Sequence, residues 1–139
     1  MSLTIRPFRT ADTVQVIDLW QACGLVVPPN DAHADIQHKI RFQPDLFLVG
    51  SDQDDHLVAT VMAGYDGHRG WINYLAVSPA MRRRGLGRRM LAAAEARLRA
   101  LGCPKINLQV RRSNTEVIAF YRRLGFRQDN VVSLGKRLD

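Results

Sequence analysis

The stretch whose reading decides the fold is "VSPAMRRRGLGRRML", Val77 to Leu91. Five arginines surround a Gly-Leu-Gly, a hydrophobic run ends just before them, and a helical pattern begins just after. The first N–H groups of a helix have no partner inside it. The helix dipole makes that end positive. Glycines at 85 and 87 remove the Cβ atoms that would hold a ligand away from the backbone. Together these describe a cradle for phosphate. Arg82, Arg83, Arg84, Arg88 and Arg89 add charge and forked donors suited to phosphate oxygens.

Two familiar phosphate loops do not fit. A P-loop requires Gly-Lys-Ser/Thr, which is absent. A dinucleotide fingerprint requires G-x-G-x-x-G directly after a strand. Here Met90 stands at the third glycine, and the loop from Val77 to Gly85 is too long.

Outward from this loop, the chain alternates strands and helices. "LTIRPF" reads as a first strand. Thr10 caps a helix whose Ala11, Val14, Ile17 and Trp20 recur at helical spacing, ended by Gly24. "VVPPND" is a rigid loop. A second helix carries Ile36 and Ile40 and stops before Pro44. "LFLVG" and "HLVATVMAG" are strands joined by "SDQDD", "YDGHRG" is a turn, and "WINYLAV" is a fourth strand. The third helix is the clearest, with Leu86, Met90, Ala94, Leu98 and Leu101 in one stripe and Gly102 and Pro104 as its stop. "KINLQV" alternates, Ile106, Leu108 and Val110 against Asn107 and Gln109. Ser113 and Glu116 form a capping box for a fourth helix, which runs to Leu124. "FRQDNVVSLGKRL" supplies one or two closing strands. The expectation is one α/β domain over residues 1–139.

The chain has 139 residues, 46% of them hydrophobic, enough for a core. No apolar run approaches the ~20 residues that span a bilayer, and "MSLTIRPFRTAD" shows no secretory signal. Cys23 and Cys103 lie far apart, which suits a reducing cytoplasm. Four histidines, with no H-x-x-x-H and no Cys/His cluster, give a metal site little support. The net charge of +7 asks for an anionic partner. Its excess falls at Arg82–Arg89 and Arg111–Arg123, a focus that fits one multiply charged small molecule. Nucleic acid is the weaker reading, since neither RNP-type aromatics nor a helix-turn-helix order is present.

Arg82-x-x-Gly85-x-Gly87 after "LAVSP" resembles motif A of the GNAT superfamily of N-acetyltransferases, [QR]-x-x-G-x-[GA]. "NTEVIAFYRRLGF", Asn114 to Phe126, is similar to motif B, N-x-x-A-x-x-x-Y-x-x-x-G-F, with Val117 in place of the common alanine. "MAGYDGHRG" further resembles bacterial members of the YpeA type. The order of elements matches over essentially the whole chain.

The resemblance implies a mostly antiparallel mixed sheet with parallel, splayed fourth and fifth strands and about four flanking helices. It implies acetyl-CoA as co-substrate, held by the backbone of Arg82, Arg83, Arg84, Gly85, Leu86, Gly87 and Arg88, with pantetheine along Leu75, Ala76 and Val77. It places Asn114 near the pantetheine and Tyr121 near the sulfur, as the acid that protonates the leaving thiolate. On spacing alone, Tyr121 reads first as a core aromatic on the stripe of Val117 and Leu124; the acid role comes from its match to motif B. The implied reaction is direct transfer of acetyl to a primary amine, small-molecule or protein, in a ternary complex. A homodimer is common in the family.

The base is left open. In alanine acetyltransferases of this family a glutamate stands where this chain has Gln109, and Gln109 takes no proton. Asp66, His68, Asp31 and, through water, Tyr74 are the alternatives, each also readable as a turn or surface residue. Tyr74, Gln109 and Asp31 are the expected acceptor-side residues. The missing carboxylate keeps a second reading in view, an acyl-CoA-binding protein with weak or lost catalysis.

Overall fold

A computed structural model describes residues 2–28 and 30–139, so Pro29 of the expected rigid loop lies outside the described residues. The chain divides into two compact units, Met1–Leu108 and Gln109–Asp139.

The first unit is a five-stranded sheet in the order β1-β2-β3-β4-β5. Its strands are β1 (Thr4–Pro7), β2 (Phe47–Ser51), β3 (Leu57–Tyr65), β4 (Gly70–Val77) and β5 (Ile106–Asn107). The first four pair antiparallel, and β4 and β5 pair parallel. Helices α1 (Thr13–Ala22), α2 (Ala32–Arg41) and α3 (Leu86–Ala100) cover the sheet. β2 is buried along its whole length, as a strand between two layers must be. Phe47 and Val49 join Val16, Leu19, Trp20 and Ile36 in one core. On the other face an added Cβ at Gly50 would collide with Met90 of α3.

Helix α1 begins later than the sequence suggests. Residues Thr10–Asp12 form a 3-10 turn, and Thr10 gives no side-chain cap. Asp12 does the work instead: Oδ2 accepts from the Arg9 N–H at 2.8 Å, and both oxygens take the Arg6 guanidinium, at 2.7 and 2.9 Å. That buried pair holds the Asp12 carboxyl below the usual range, its hydrogen bond with Arg6 being the main cause. It also rotates the helix, so Val16, Leu19 and Trp20 are buried while Ala11 and Val14 face solvent. In α3 the expected stripe is right but for Leu101, which lies past the helix end and is exposed, and Leu91 joins the buried set.

The turn between β2 and β3 is organised by Asp52, whose Oδ1 accepts from the N–H groups of Asp54 and His56. Gln43, in left-handed backbone with φ 57°, reaches the end of β3. Its Nε2 donates to the Tyr65 carbonyl at 2.7 Å, and its Oε1 accepts from the Tyr65 N–H at 2.9 Å.

The second unit contains α4 (Thr115–Arg123). The Ser113–Glu116 capping box does not form: Asn114 is the N-cap and makes no side-chain cap bond. Tyr121 packs edge-on against Phe120 and Phe126, at ring distances of 5.1 and 5.3 Å. The closing strands expected from "FRQDNVVSLGKRL" are not present; residues 126–139 adopt no strand, and Val131, Val132, Leu134 and Leu138 are exposed. Alternation makes a strand only where a neighbouring strand accepts its hydrogen bonds. The fifth strand is likewise shortened to Ile106–Asn107, without Leu108 and Val110.

Candidate active site

The site begins with a defect in β4. Its register with β3 passes from Thr60↔Ala76 to Met62↔Asn73. Tyr74 and Leu75 therefore oppose the single residue Val61, which makes a β-bulge. Tyr74 carries the strain, with φ 51°, a left-handed conformation unusual for a bulky residue. Three contacts hold it there. Its carbonyl accepts from the hydroxyl of fully buried Thr60 at 2.9 Å, and that hydroxyl accepts from the Trp20 indole N–H at 2.9 Å. Its ring stacks on Trp20, centroids 3.8 Å apart. Its own hydroxyl donates to Asp35 Oδ2 at 2.6 Å. Burial, then the Asp35 carboxylate, push the Tyr74 hydroxyl's pKa up, so it is a proton carrier and not a phenolate.

Asp35 is the functional candidate that sequence reading missed. It lies in α2, 39 residues from Tyr74, and nothing local marks it. Asp31, expected near the acceptor, is the N-cap of the same helix and accepts from the Ala34 N–H at 3.1 Å. Asp66 organises the β3–β4 turn, accepting from the N–H groups of His68 and Arg69 at 2.8 and 2.7 Å. Those bonds, Arg69 first, hold its carboxyl low, which makes it a poor base.

Ahead of the bulge, β4 loses its outer neighbour. β5 pairs with it only at Gly70↔Ile106 and Trp71↔Asn107. From Ile72 to Val77, no strand among the described residues lies on that edge. Asn107 Oδ1 is buried there without a hydrogen-bond partner. The opened edge runs directly into the arginine-glycine loop.

That loop has the features of an anion cradle. Arg83 and Gly85 both take positive φ, 64° and 76°. Gly85 is the N-cap of α3, no acidic residue occupies the first turn, and the first intrahelical bond is from the Arg89 N–H to the Gly85 carbonyl. The N–H groups of Leu86, Gly87 and Arg88 precede it and point out of the helix start. Arg82, Arg83, Arg84 and Arg88 are exposed and form no ion pair among the described residues. Gly87 lies inside the helix with ordinary φ, so its glycine is not required by the backbone.

These features agree with the comparisons. Residues 13–126 match the acetyltransferase (GNAT) family model. The chain belongs to the GNAT acetyltransferase family. It is 47% identical over 137 residues to acetyltransferase SG1711 of Sodalis glossinidius, covering 98% of this chain and 96% of that one. It is 45% identical over 136 residues to acetyltransferase ECA0875 of Pectobacterium atrosepticum, with 98% and 96% covered. Among solved structures, the NatC complex bound to Gag peptide and CoA superposes with a TM-score of 0.80 at 18% identity, over 94% of this chain and 87% of that one. That last likeness is one of fold. As a GNAT protein the chain is an acetyl-CoA-dependent acetyltransferase.

In the second unit, Tyr121 is buried, and burial pushes its pKa up to about 12. Asn114 is exposed at the start of α4. Gln109 donates from Nε2 to Ser133 Oγ at 2.5 Å. The second concentration of arginine borders an open groove of about 410 Å³ lined by Thr115, Ile118, Ala119, Arg122 and Arg123. No helix among the described residues is long and apolar enough to cross a membrane.

Proposed function

We propose that the protein transfers an acetyl group from acetyl-CoA to a primary amine by direct attack in a ternary complex, acting over residues 1–139 as one catalytic domain of the YpeA type in a reducing cytoplasm. The observation that carries this reading is the continuous path from the edge of β4 that no strand among the described residues pairs with into the glycine loop at the start of α3. The backbone of Arg82 to Arg88 holds the pyrophosphate. Leu75, Ala76 and Val77 offer strand-type hydrogen bonds to the pantetheine arm, and the resemblance assigns Asn114 to the same arm. When bound, acetyl-CoA supplies an activated acyl group on a thiol leaving group.

The protein's own residues then have three tasks. The amine must lose a proton, because a free alkyl amine is an ammonium at neutral pH. Tyr74 and Asp35 do this as a relay: the phenol oxygen accepts the amine's proton while its own moves to the Asp35 carboxylate. A backbone N–H near Ala76 or Val77 faces the carbonyl oxygen as charge develops on it. Tyr121, whose raised pKa keeps it protonated, gives its proton to the departing thiolate.

This relay answers the absence of a carboxylate at Gln109, which bonds to Ser133 and serves at most to position the acceptor. The test is a panel of primary amines with acetyl-CoA, following release of free CoA, beside melting curves with and without acetyl-CoA. Acetyl-CoA raises the melting temperature by mass action if it binds the native state. No shift at millimolar acetyl-CoA sinks the proposal.

A further inference from the structure

Thr60 is fully buried inside β3, opposite Ala76 of β4. Valine has the same shape without a hydroxyl, and a buried hydroxyl is costly unless it is hydrogen-bonded. This one is bonded twice, as donor to the Tyr74 carbonyl and as acceptor from the Trp20 indole, both at 2.9 Å. Trp20 in turn stacks on the Tyr74 ring. The three residues, drawn from α1, β3 and β4, touch in a closed triangle. The triangle sits at the bulge. Asn73 opposes Met62 and Ala76 opposes Thr60. Met62 and Thr60 are two apart on β3, so their side chains share a face. Asn73 and Ala76 are three apart on β4 and share that face only because Tyr74 and Leu75 form the bulge. A bulge disrupts the ladder locally, and there the Thr60 hydroxyl gives the Tyr74 carbonyl a donor.

We infer that Thr60 is a positioning residue for the reaction: its hydroxyl fixes the left-handed backbone at Tyr74, and through it the aim of the phenol at Asp35. The inference rests on the Tyr74–Asp35 relay proposed above and names the residue that sets it. The contacts are continuous, from the Trp20 indole to the Thr60 hydroxyl, from that hydroxyl to the Tyr74 carbonyl, and from the Tyr74 phenol to Asp35 Oδ2 at 2.6 Å. A bulky residue keeps a φ of 51° only where its surroundings over-determine it. The stack on Trp20 holds the plane of the ring. The bond to the carbonyl holds the peptide that carries the ring, and on a rotated peptide the phenol no longer meets Asp35. A threonine with only a structural role would lower stability when replaced and leave the turnover of the folded protein alone.

Thr60→Val removes the hydroxyl and keeps the shape; Thr60→Ser keeps the hydroxyl. The crystal structure of Thr60→Val is expected to show Tyr74 outside the left-handed region and its phenol off Asp35. Tyr74 still at positive φ with that bond intact overturns the inference. This readout requires neither acceptor nor cofactor, so it fails separately from the acetyltransferase reading, and it alone decides if no amine is acetylated. With an amine that the acceptor panel identifies, kcat in Thr60→Val falls by about 10²-fold, the scale of an ångström's misplacement, while the acetyl-CoA melting shift is kept. Thr60→Ser returns most of that rate. In a Tyr74→Phe background Thr60→Val lowers kcat no further, because both changes act through one phenol. Multiplicative losses in the double variant, or undiminished kcat in Thr60→Val, overturn the inference. Should Thr60→Val not fold, Thr60→Cys takes its place, with a thiol that donates more weakly than a hydroxyl. Its kcat must then lie below that of Thr60→Ser, and equal rates overturn the inference. Absence of any acetyl-CoA melting shift in the wild type removes the acetyltransferase reading, and with it the reaction that Thr60 would serve.

Discussion

The phenol of Tyr74 donates to Asp35 Oδ2 at 2.6 Å from a strand position held at φ 51°. Strain of this kind persists where surrounding contacts over-determine it, and here Thr60 and Trp20 do so. Tyr74→Phe keeps the stack on Trp20 and removes only the hydroxyl. Asp35→Asn keeps an acceptor for that hydroxyl and removes the proton sink. Each is expected to lower kcat by about 10²–10⁴-fold with the acetyl-CoA melting shift unchanged. The lower limb of the pH–rate profile should also move in Asp35→Asn. Wild-type turnover in both variants would remove the relay.

The two glycines of the cradle separate by their backbones. Gly85 sits at φ 76°, so Gly85→Ala is strained by about 1–2 kcal/mol. Gly87 is helical, so Gly87→Ala is expected to stabilise the free protein by up to ~1 kcal/mol. The added methyl at 87 should nevertheless weaken acetyl-CoA binding, because in the proposed complex it stands where the phosphates approach. Stability and affinity thus move in opposite directions in one variant. Calorimetry with titration of acetyl-CoA measures both, and tighter binding by Gly87→Ala would contradict the cradle.

Tyr121 tests the acid. With its pKa pushed up to about 12 by burial, the phenol stays protonated across the working range. Tyr121→Phe preserves the edge contacts with Phe120 and Phe126. The expected result is a loss of turnover of about 10²-fold or more with melting within a few degrees of wild type. Undiminished activity at the pH optimum would make Tyr121 a core aromatic only.

What the sequence disclosed divides along the line between local and distant causes. The glycine loop and the start of α3 were legible because glycine and a helical stripe are local signals, and the parallel pairing of β4 and β5 followed from the resemblance. The bulge at Tyr74 was not, since "WINYLAV" reads as one uninterrupted strand and the contact that holds the bulge comes from a buried threonine on the neighbouring strand β3. Asp35 stayed hidden because its meaning depends on a residue 39 positions away. The phase of α1 was misread because Asp12, a polar residue, is drawn inward by Arg6. The closing strands failed for the opposite reason: "VVSL" has the pattern, but no strand among the described residues receives it.

Lys39 gives a prediction in pH. Burial lowers its pKa from 10.5 to about 8 in the folded protein, with Phe42, Gly64 and Gln43 around it and no ion pair to Asp35. Between about pH 8 and 10.5 the unfolded chain therefore binds more protons at this site than the native one, and stability rises with pH through that window. Below pH 8 the cost of the buried charge is fully present. Lys39→Met is expected to be more stable than wild type at pH 7, with an advantage that shrinks as pH climbs toward 10. Denaturant midpoints at several pH values check this, and a constant difference would show that the ammonium is well solvated.

The unpaired edge of β4 has a consequence for handling the protein. Ile72 to Val77 of β4 have no strand partner on that edge among the described residues, and an edge of this kind can pair with an extended segment. In the proposed complex the pantetheine arm occupies that edge. On that proposal, preparations stripped of CoA keep an open template for sheet growth between molecules, and colloidal stability is expected to depend on cofactor supply. Samples stored with CoA should stay monodisperse longer than bare ones, most clearly near the pI of about 10.2, where charge repulsion no longer keeps molecules apart.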